Sequence, residues 1–213
     1  TRNVGLRKNG STDARTHNTA ATSHWWAAIG VDASRIFEAN VASITEIDIY
    51  LVGYFDGGAV FNTNAVDKSI SATSAWTDVN IATDTGSDTA IAAILEIIQS
   101  ATAQNWGFRK NGSTDNRTSA GNVHRSAMIG VDGSEIFEHY IADVGTDIFF
   151  IGYLKAGATL NTNALDRSLG TTGSWLDLTA LPSGAIGGIY EVRAAGNVQY
   201  GLRKNGSAEN ILQ

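Results

Sequence analysis

Two short segments in which β-branched and aromatic residues follow one another give the strongest pattern in this chain. Residues 47–54 (IDIYLVGY) and 147–153 (DIFFIGY) carry a Gly-Tyr pair at the same place. This composition is typical of inner β-strands, and we predict one strand in each segment. Shorter strands are predicted at 28–32 and its counterpart 128–132, at 59–61, at 158–160 and at 189–192.

Turn residues separate the predicted strands. Asn-Gly pairs lie at 9–10, 111–112 and 205–206, and Asp-Gly pairs begin at Asp56 and Asp132, which is the composition of tight hairpins. One stretch, 90–99, has the composition of a short helix, but its counterpart 185–193 contains Gly-Gly, so we predict strands at both. Strands spaced roughly eight to twelve residues apart indicate an antiparallel sandwich or jelly roll of about seven to eight strands per unit.

The pattern is repeated along the chain. The heptapeptide Gly-Leu/Phe-Arg-Lys-Asn-Gly-Ser occurs at 5–11, 107–113 and 201–207, and segment 24–38 resembles 124–138. A repeat of about 100 residues is the size of a small domain, so each copy should own a core. The predicted fold class is therefore all-β, with two tandem antiparallel β-sandwich, jelly-roll-like units.

The repeats are out of phase with the ends of the sequence. Trp76 corresponds to Trp175 and Glu96 to Glu191, so the complete unit spans 74–173. We expect a first unit at 1–73 that lacks its opening strands and a partial third repeat at 174–213. Three alternatives remain open: the last segment completes the first unit of its own chain, completes that of a neighbouring molecule, or belongs to a fragment of a longer array.

Composition excludes several classes of protein. The chain has 213 residues, 43% hydrophobic and 17% charged, which is enough to build packed cores. No apolar run approaches the length of a membrane-spanning helix. There is no cysteine, so disulfide scaffolds and thiolate metal sites are excluded. A net charge of −6 argues against nucleic acid as a partner.

Repeated acidic residues and histidines are the first candidates for chemistry. Two carboxylate pairs lie six residues apart across a turn: Asp32 with Glu38, and Asp132 with Glu138. A calcium site is possible there because Ca²⁺ prefers several oxygen ligands. The segments lack the run of acidic residues such a site usually has, so an ordinary hairpin is favoured. His24 and His124 are interpreted as packed at strand ends rather than as bases or ligands.

The heptapeptide and the Asp-x-Arg that follows it suggest a ladder of charges. Asp13 and Asp115 lie two residues before an arginine, and we expect them to pair with Arg7 and Arg109 across the turn and so to fix register. Recognition of a ligand by these arginines is the less favoured alternative. Residues assigned to association between modules are Trp175, Glu191, Arg7, Arg109, Asp13 and Asp115.

No motif of a known catalytic class is present. The sequence contains no nucleophile elbow, phosphate-binding loop, dinucleotide fingerprint or zinc-protease helix. A carboxylate pair assembled across strands, as in glycosidases, is not visible in a sequence. We therefore predict a protein that is not an enzyme and binds no cofactor.

In its short strands, turns and abundance of Thr, Ser, Asn, Ala and Gly, the chain resembles β-sandwich modules of phage virions (decoration, tail and fibre proteins) and of secreted surface fibres. Segments 107–115, 129–132 and 149–153 carry the resemblance. It implies a structural protein on a virion surface or outside the cell, whose partner is itself or another surface protein through strand complementation. A carbohydrate-binding or adhesin module is the alternative, with Trp25, Trp26 and Trp106 stacking on sugars.

Overall fold

The fold is all-β. The computed structural model describes residues 2–19, 26–43, 47–71, 74–99, 105–120, 123–142, 145–169, 174–177, 181–192 and 201–208, and these ranges contain strands but no helix. The strands are β1 (Arg2–Lys8), β2 (His17–Thr19), β3 (Phe37–Val41), β4 (Ala59–Asp67), β5 (Trp76–Asn80), β6 (Ala92–Gln99), β7 (Asn105–Lys110), β8 (Ser119–Ala120), β9 (Val123–Gly130), β10 (Ile136–Ile141) and β11 (Thr146–Leu154).

Within the described residues, strands β4 to β11 form two antiparallel sheets of four strands each. One has the order β5-β10-β7-β8 and the other β4-β11-β6-β9. Their facing side chains form the main core, because alternate residues of each strand point to the same side. The fully buried apolar members of that core are Ile81, Ala93, Leu95, Ile97, Phe137, Ile141, Ile148 and Phe150.

Strand β6 is buried on both faces, because both are covered. Leu95 and Ile97 point into the main core, whereas Ala92 and Ile94 belong to a second cluster on the opposite face. That second cluster includes Phe61 of the first repeat and Leu160 of the second. The prediction of a strand at 90–99 is therefore confirmed. Its helix-like composition results from burial on both faces.

In the described part of the first repeat, three strands form a sheet with the order β2-β1-β3. Residues 47–54 are not a strand, although their counterpart β11 is, and 28–32, 158–160 and 189–192 are not strands either. Those four predictions are wrong for this chain taken alone. The reason is physical: a segment becomes a strand only when a neighbour completes its ladder of hydrogen bonds, and in the described ranges no strand pairs its backbone with these segments.

Strand β4 is placed differently from the expected division into units. It belongs to the first repeat by sequence but is the edge strand of the second repeat's sheet, antiparallel to β11. Completion of the first unit by residues 174–213 stays a prediction.

Within the part of the chain that the structure describes, no helix is long and apolar enough to cross a membrane.

Candidate interaction site between repeats

The joint between the repeats is built around β4. Its register sets Phe61 opposite Gly152 and Val60 opposite Tyr153. The ladder is interrupted next to this point, where residue 151 of β11 stands against residues 62–65 of β4. A Cβ at Gly152 would collide with the Val60 carbonyl oxygen and approach the Phe61 Cα to 3.0 Å. Glycine at this position therefore permits the close approach of the two backbones.

Strand β4 is also held by side chains of its own repeat. Lys8 Nζ donates to the Phe61 carbonyl oxygen at 2.9 Å. Ser11 Oγ donates to Asn64 Oδ1 at 3.0 Å, and the Thr12 amide donates to the same oxygen at 2.9 Å. Phe61 packs on Gly30 so closely that a Cβ there would collide with it. The first repeat thus holds β4 by side chains while the second pairs with its backbone.

A buried network of charges crosses the same joint. Arg15 Nε donates to Glu96 Oε2 at 2.6 Å, and His124 Nε2 lies against the other oxygen of the same carboxylate. Glu96 and His124 are both buried. The Arg15 guanidinium also lies over the Phe149 ring, 4.4 Å from its centroid, which is the geometry of a cation–π contact. Residue 15 of the first repeat is therefore anchored on β6 and β11 of the second.

Asp13 connects this network to β4. Its carboxylate accepts a hydrogen bond from the Ala65 amide at 2.9 Å and pairs with Arg15 at 3.2 Å. Partial burial on its own would raise the pKa of Asp13, but the Ala65 hydrogen bond and the Arg15 guanidinium outweigh it, so the pKa lies below its usual value. Asp13 therefore stays ionised at neutral pH, where it fixes β4 and Arg15 together.

The second repeat carries the same set of anchors. Ser113 Oγ donates to Asn163 Oδ1 at 2.9 Å, and the Ala164 amide donates to Asp115 at 2.7 Å. Burial would raise the pKa of Asp115, yet the Ala164 and Arg117 contacts lower it, as at Asp13. Arg117 Nε donates to Glu191 at 2.8 Å, which repeats the Arg15–Glu96 contact one repeat further along.

Arg7 and Arg109 pair with different partners from those expected. Arg7 contacts Glu38 at 2.7 Å, and Arg109 contacts Glu138 at 2.7 Å. In both pairs the two residues are directly opposite in the sheet. Arg109 also donates to the backbone carbonyl oxygen of Asp115 at 2.8 Å, and Arg7 donates likewise to that of Asp13. The charges do bridge adjacent strands, but the carboxylates opposite the arginines are the two glutamates.

Asp32 and Asp132 close turns. The side chain of Asp32 accepts the amides of Ser34 and Ile36 at 2.8 and 2.9 Å, and Asn9 donates to its other oxygen at 2.6 Å. The Asn9 hydrogen bond is the main cause of a pKa below the usual value for Asp32. Asp132 makes the equivalent contacts with Ser134, Ile136 and Asn111. In the described ranges no cluster of three or more acidic residues or histidines is arranged to hold a metal ion.

The tryptophans divide into exposed and buried groups. Trp106 was expected to be exposed but is buried among the core residues, because β7 directs it between the two sheets, so its face is closed to a sugar. Trp26 is exposed, whereas Trp25, like His24, lies outside the described residues. Trp175 has the Arg203 guanidinium over its ring at 4.2 Å, as Trp76 has that of Arg109 at 4.4 Å.

The anchoring asparagines and the Arg15–Glu96 contact were not found from the sequence. A signal for them existed, since Asn64 and Asn163 recur at equivalent positions, as do Arg15 and Arg117. The recurrence of these polar residues in both repeats indicates that they make equivalent contacts in each repeat.

Comparisons with protein-family models, characterised proteins and solved structures return no match for this chain.

Proposed function

We propose that the protein is a non-enzymatic structural component that builds an array of β-sandwich repeats joined by shared strands. The observation that carries the proposal is β4, which is anchored by side chains of one repeat and paired through its backbone with the next. A surface fibre or the exterior of a virion is the setting we propose, because such assemblies need joints that resist dissociation.

The chemistry of the joint supports a structural role. Strand addition supplies main-chain hydrogen bonds along a whole edge, and the second apolar cluster around Ile94 and Phe61 excludes water from it. The charged groups concentrated there are paired, since Asp13 and Glu96 both contact the Arg15 guanidinium. The joint therefore uses its charged residues for attachment.

The proposal is tested by asking whether the repeats unfold as one unit. Gly152→Val should push β4 away from β11 and replace one cooperative urea transition with two, because the first repeat then loses its attachment. Gly133→Ala is the matched control: a Cβ there meets nothing within 4 Å, and the first repeat already has Ala33 at that place. Hydrogen exchange read by mass spectrometry should locate the loss of protection in β4 and β1.

If Gly152→Val keeps a single transition with unchanged protection in β1, the repeats are not coupled through the shared strand and the proposed function fails.

A further inference from the structure

Residues 158–166 are the second repeat's version of β4, and they are held in the same way. Lys110 Nζ donates to the Leu160 carbonyl oxygen at 3.4 Å, as Lys8 does to that of Phe61. The Leu160 Cβ lies 2.6 Å from where a Cβ of Gly130 would be, and Gly130 ends β9, at the opposite edge of the sheet from β4. In the ranges described, no strand pairs with the backbone of 158–166.

Residues 47–55 are the first repeat's version of β11, and they are exposed where β11 is buried. Leu51 is 86% exposed, whereas its counterpart Phe150 is 0% exposed. Tyr54 is 85% exposed, whereas its counterpart Tyr153 is 4% exposed. A monomeric protein rarely exposes so continuous an apolar segment unless it is an interaction site.

Glycine 53 gives an independent sign that a neighbour is missing. Its counterpart Gly152 is glycine because the β4 backbone passes directly against it, yet a Cβ at Gly53 would meet nothing within 4 Å. The first repeat thus has the glycine that close approach of a neighbouring strand requires, but no backbone of the described residues approaches it.

The geometry points to a second copy of this chain as the neighbour: we propose that 47–55 of one molecule enters between 158–166 and 187–192 of another. The register is that of β11 with β4 and β6, which sets Tyr54 opposite Thr159 on one side and opposite Gly188 on the other. This inference rests on the proposed function, and it identifies a second copy of the chain as the molecule that the shared-strand joint binds.

Residues 187–192 are already placed for this role. Glu191 is the counterpart of Glu96 and contacts Arg117 just as Glu96 contacts Arg15. Ile189 and Val192 are exposed, whereas their counterparts Ile94 and Ile97 are fully buried. The second repeat therefore holds 158–166 through Asp115 and 187–192 through Arg117, as the first repeat holds β4 through Asp13 and β6 through Arg15.

Pairing within one molecule is disfavoured by the way β4 is fixed. Residues 47–55 lead directly into β4, which the first repeat holds at one edge of the second repeat's sheet, whereas 158–166 lies at the other edge. The two segments therefore meet only between molecules. Contacts of this head-to-tail type produce a ring where the rotation between molecules closes and an open filament where it does not.

Cysteine cross-linking tests the register directly, because the chain has no cysteine of its own. Opposed residues in antiparallel strands have Cα atoms about 4.5–5.5 Å apart, within reach of a disulfide. The two single variants Tyr54→Cys and Thr159→Cys, mixed and oxidised, should give a disulfide-linked dimer. Thr162→Cys in place of Thr159→Cys is the out-of-register control and should give none.

A second variant separates pairing from folding. Gly53→Val in the Tyr54→Cys chain should abolish the dimer band, because its side chain occupies the path of the incoming backbone, while the urea transition stays unchanged. Absence of the dimer in the Tyr54→Cys and Thr159→Cys mixture, or equal cross-linking with the out-of-register control, would overturn the inference. If the cross-linking result is negative but Gly152→Val still gives two urea transitions, the proposed function stands. Only the identification of a second copy as the partner is then wrong.

Discussion

Removing Arg15 and removing Arg117 should have very different costs, although the two residues make the same contact in successive repeats. Arg15 pairs with Glu96, whose side chain is 9% exposed, whereas Arg117 pairs with Glu191, whose side chain is 50% exposed. The first pair is desolvated and the second is largely in water. The chain thus contains its own matched control for the effect of burial on an ion pair.

The magnitudes follow from that difference. Breaking a buried pair by removing one partner costs about 3–5 kcal/mol when the remaining charge stays buried without compensation. Glu96 keeps its contact with His124, so we use the lower part of that range, about 3–4 kcal/mol. An exposed pair contributes only about 0–1 kcal/mol. We therefore expect Arg15→Ala to lower the free energy of unfolding by roughly 2–4 kcal/mol more than Arg117→Ala does. Loss of the Arg15 contact with the Phe149 ring acts in the same direction.

Urea unfolding followed by tryptophan fluorescence measures both variants in the same background. The double variant Arg15→Ala with Glu96→Gln supplies a further check, because removing the buried charge should recover part of the stability lost in Arg15→Ala alone. Equal destabilisation by Arg15→Ala and Arg117→Ala, within about 0.5 kcal/mol, would refute the reasoning, since burial would then not decide the value of the contact.

Three further outcomes are expected. Burial lowers the pKa of His139 to about 3 from 6.5, so only the unfolded chain takes up this proton as the pH falls below 6.5. His139 should therefore cost about 2 kcal/mol of stability between pH 8 and pH 5. Urea titrations of His139→Met at the two pH values should lack this loss. Burial, together with the Asp88 hydrogen bond, raises the pKa of Tyr153 to about 12, and Asp88→Asn should lower it in a spectrophotometric tyrosine titration. Gly130→Val should displace Leu160 and increase hydrogen exchange in 158–166 without unfolding the second repeat's core, and unchanged exchange there would contradict the packing described.

The turns could be predicted from the sequence because they are determined locally, and the second repeat's strands could be predicted because their apolar segments also find partners in the fold. The Asn-Gly turns place Gly10 and Gly112 at φ of 79° and 78°, a conformation that glycine adopts without strain. The apolar run of 147–153 became β11, and 90–99 became β6, since each has paired neighbours on both sides.

The pairing of β4 could not be predicted, because two equivalent segments compete for it. The Asp-Gly-Gly sequence at 56–58 favours a hairpin between 47–54 and 59–67. In the structure Gly58 instead accepts a hydrogen bond from the Lys155 amide at 2.7 Å, and β4 runs along β11. The two partners have similar apolar composition, and the local turn signal favours 47–54, so the pairing with β11 is decided by tertiary contacts such as Lys8 with Phe61 and Arg15 with Glu96.

The exposed segments also lack the features by which proteins protect strand edges. Edge strands usually carry charged residues, prolines or bulges that prevent association with another strand. Residues 47–55 contain one charged residue, Asp48, and 158–166 contain one, Asp166, with no proline in either. Two apolar segments with nothing to block pairing favour association with another strand.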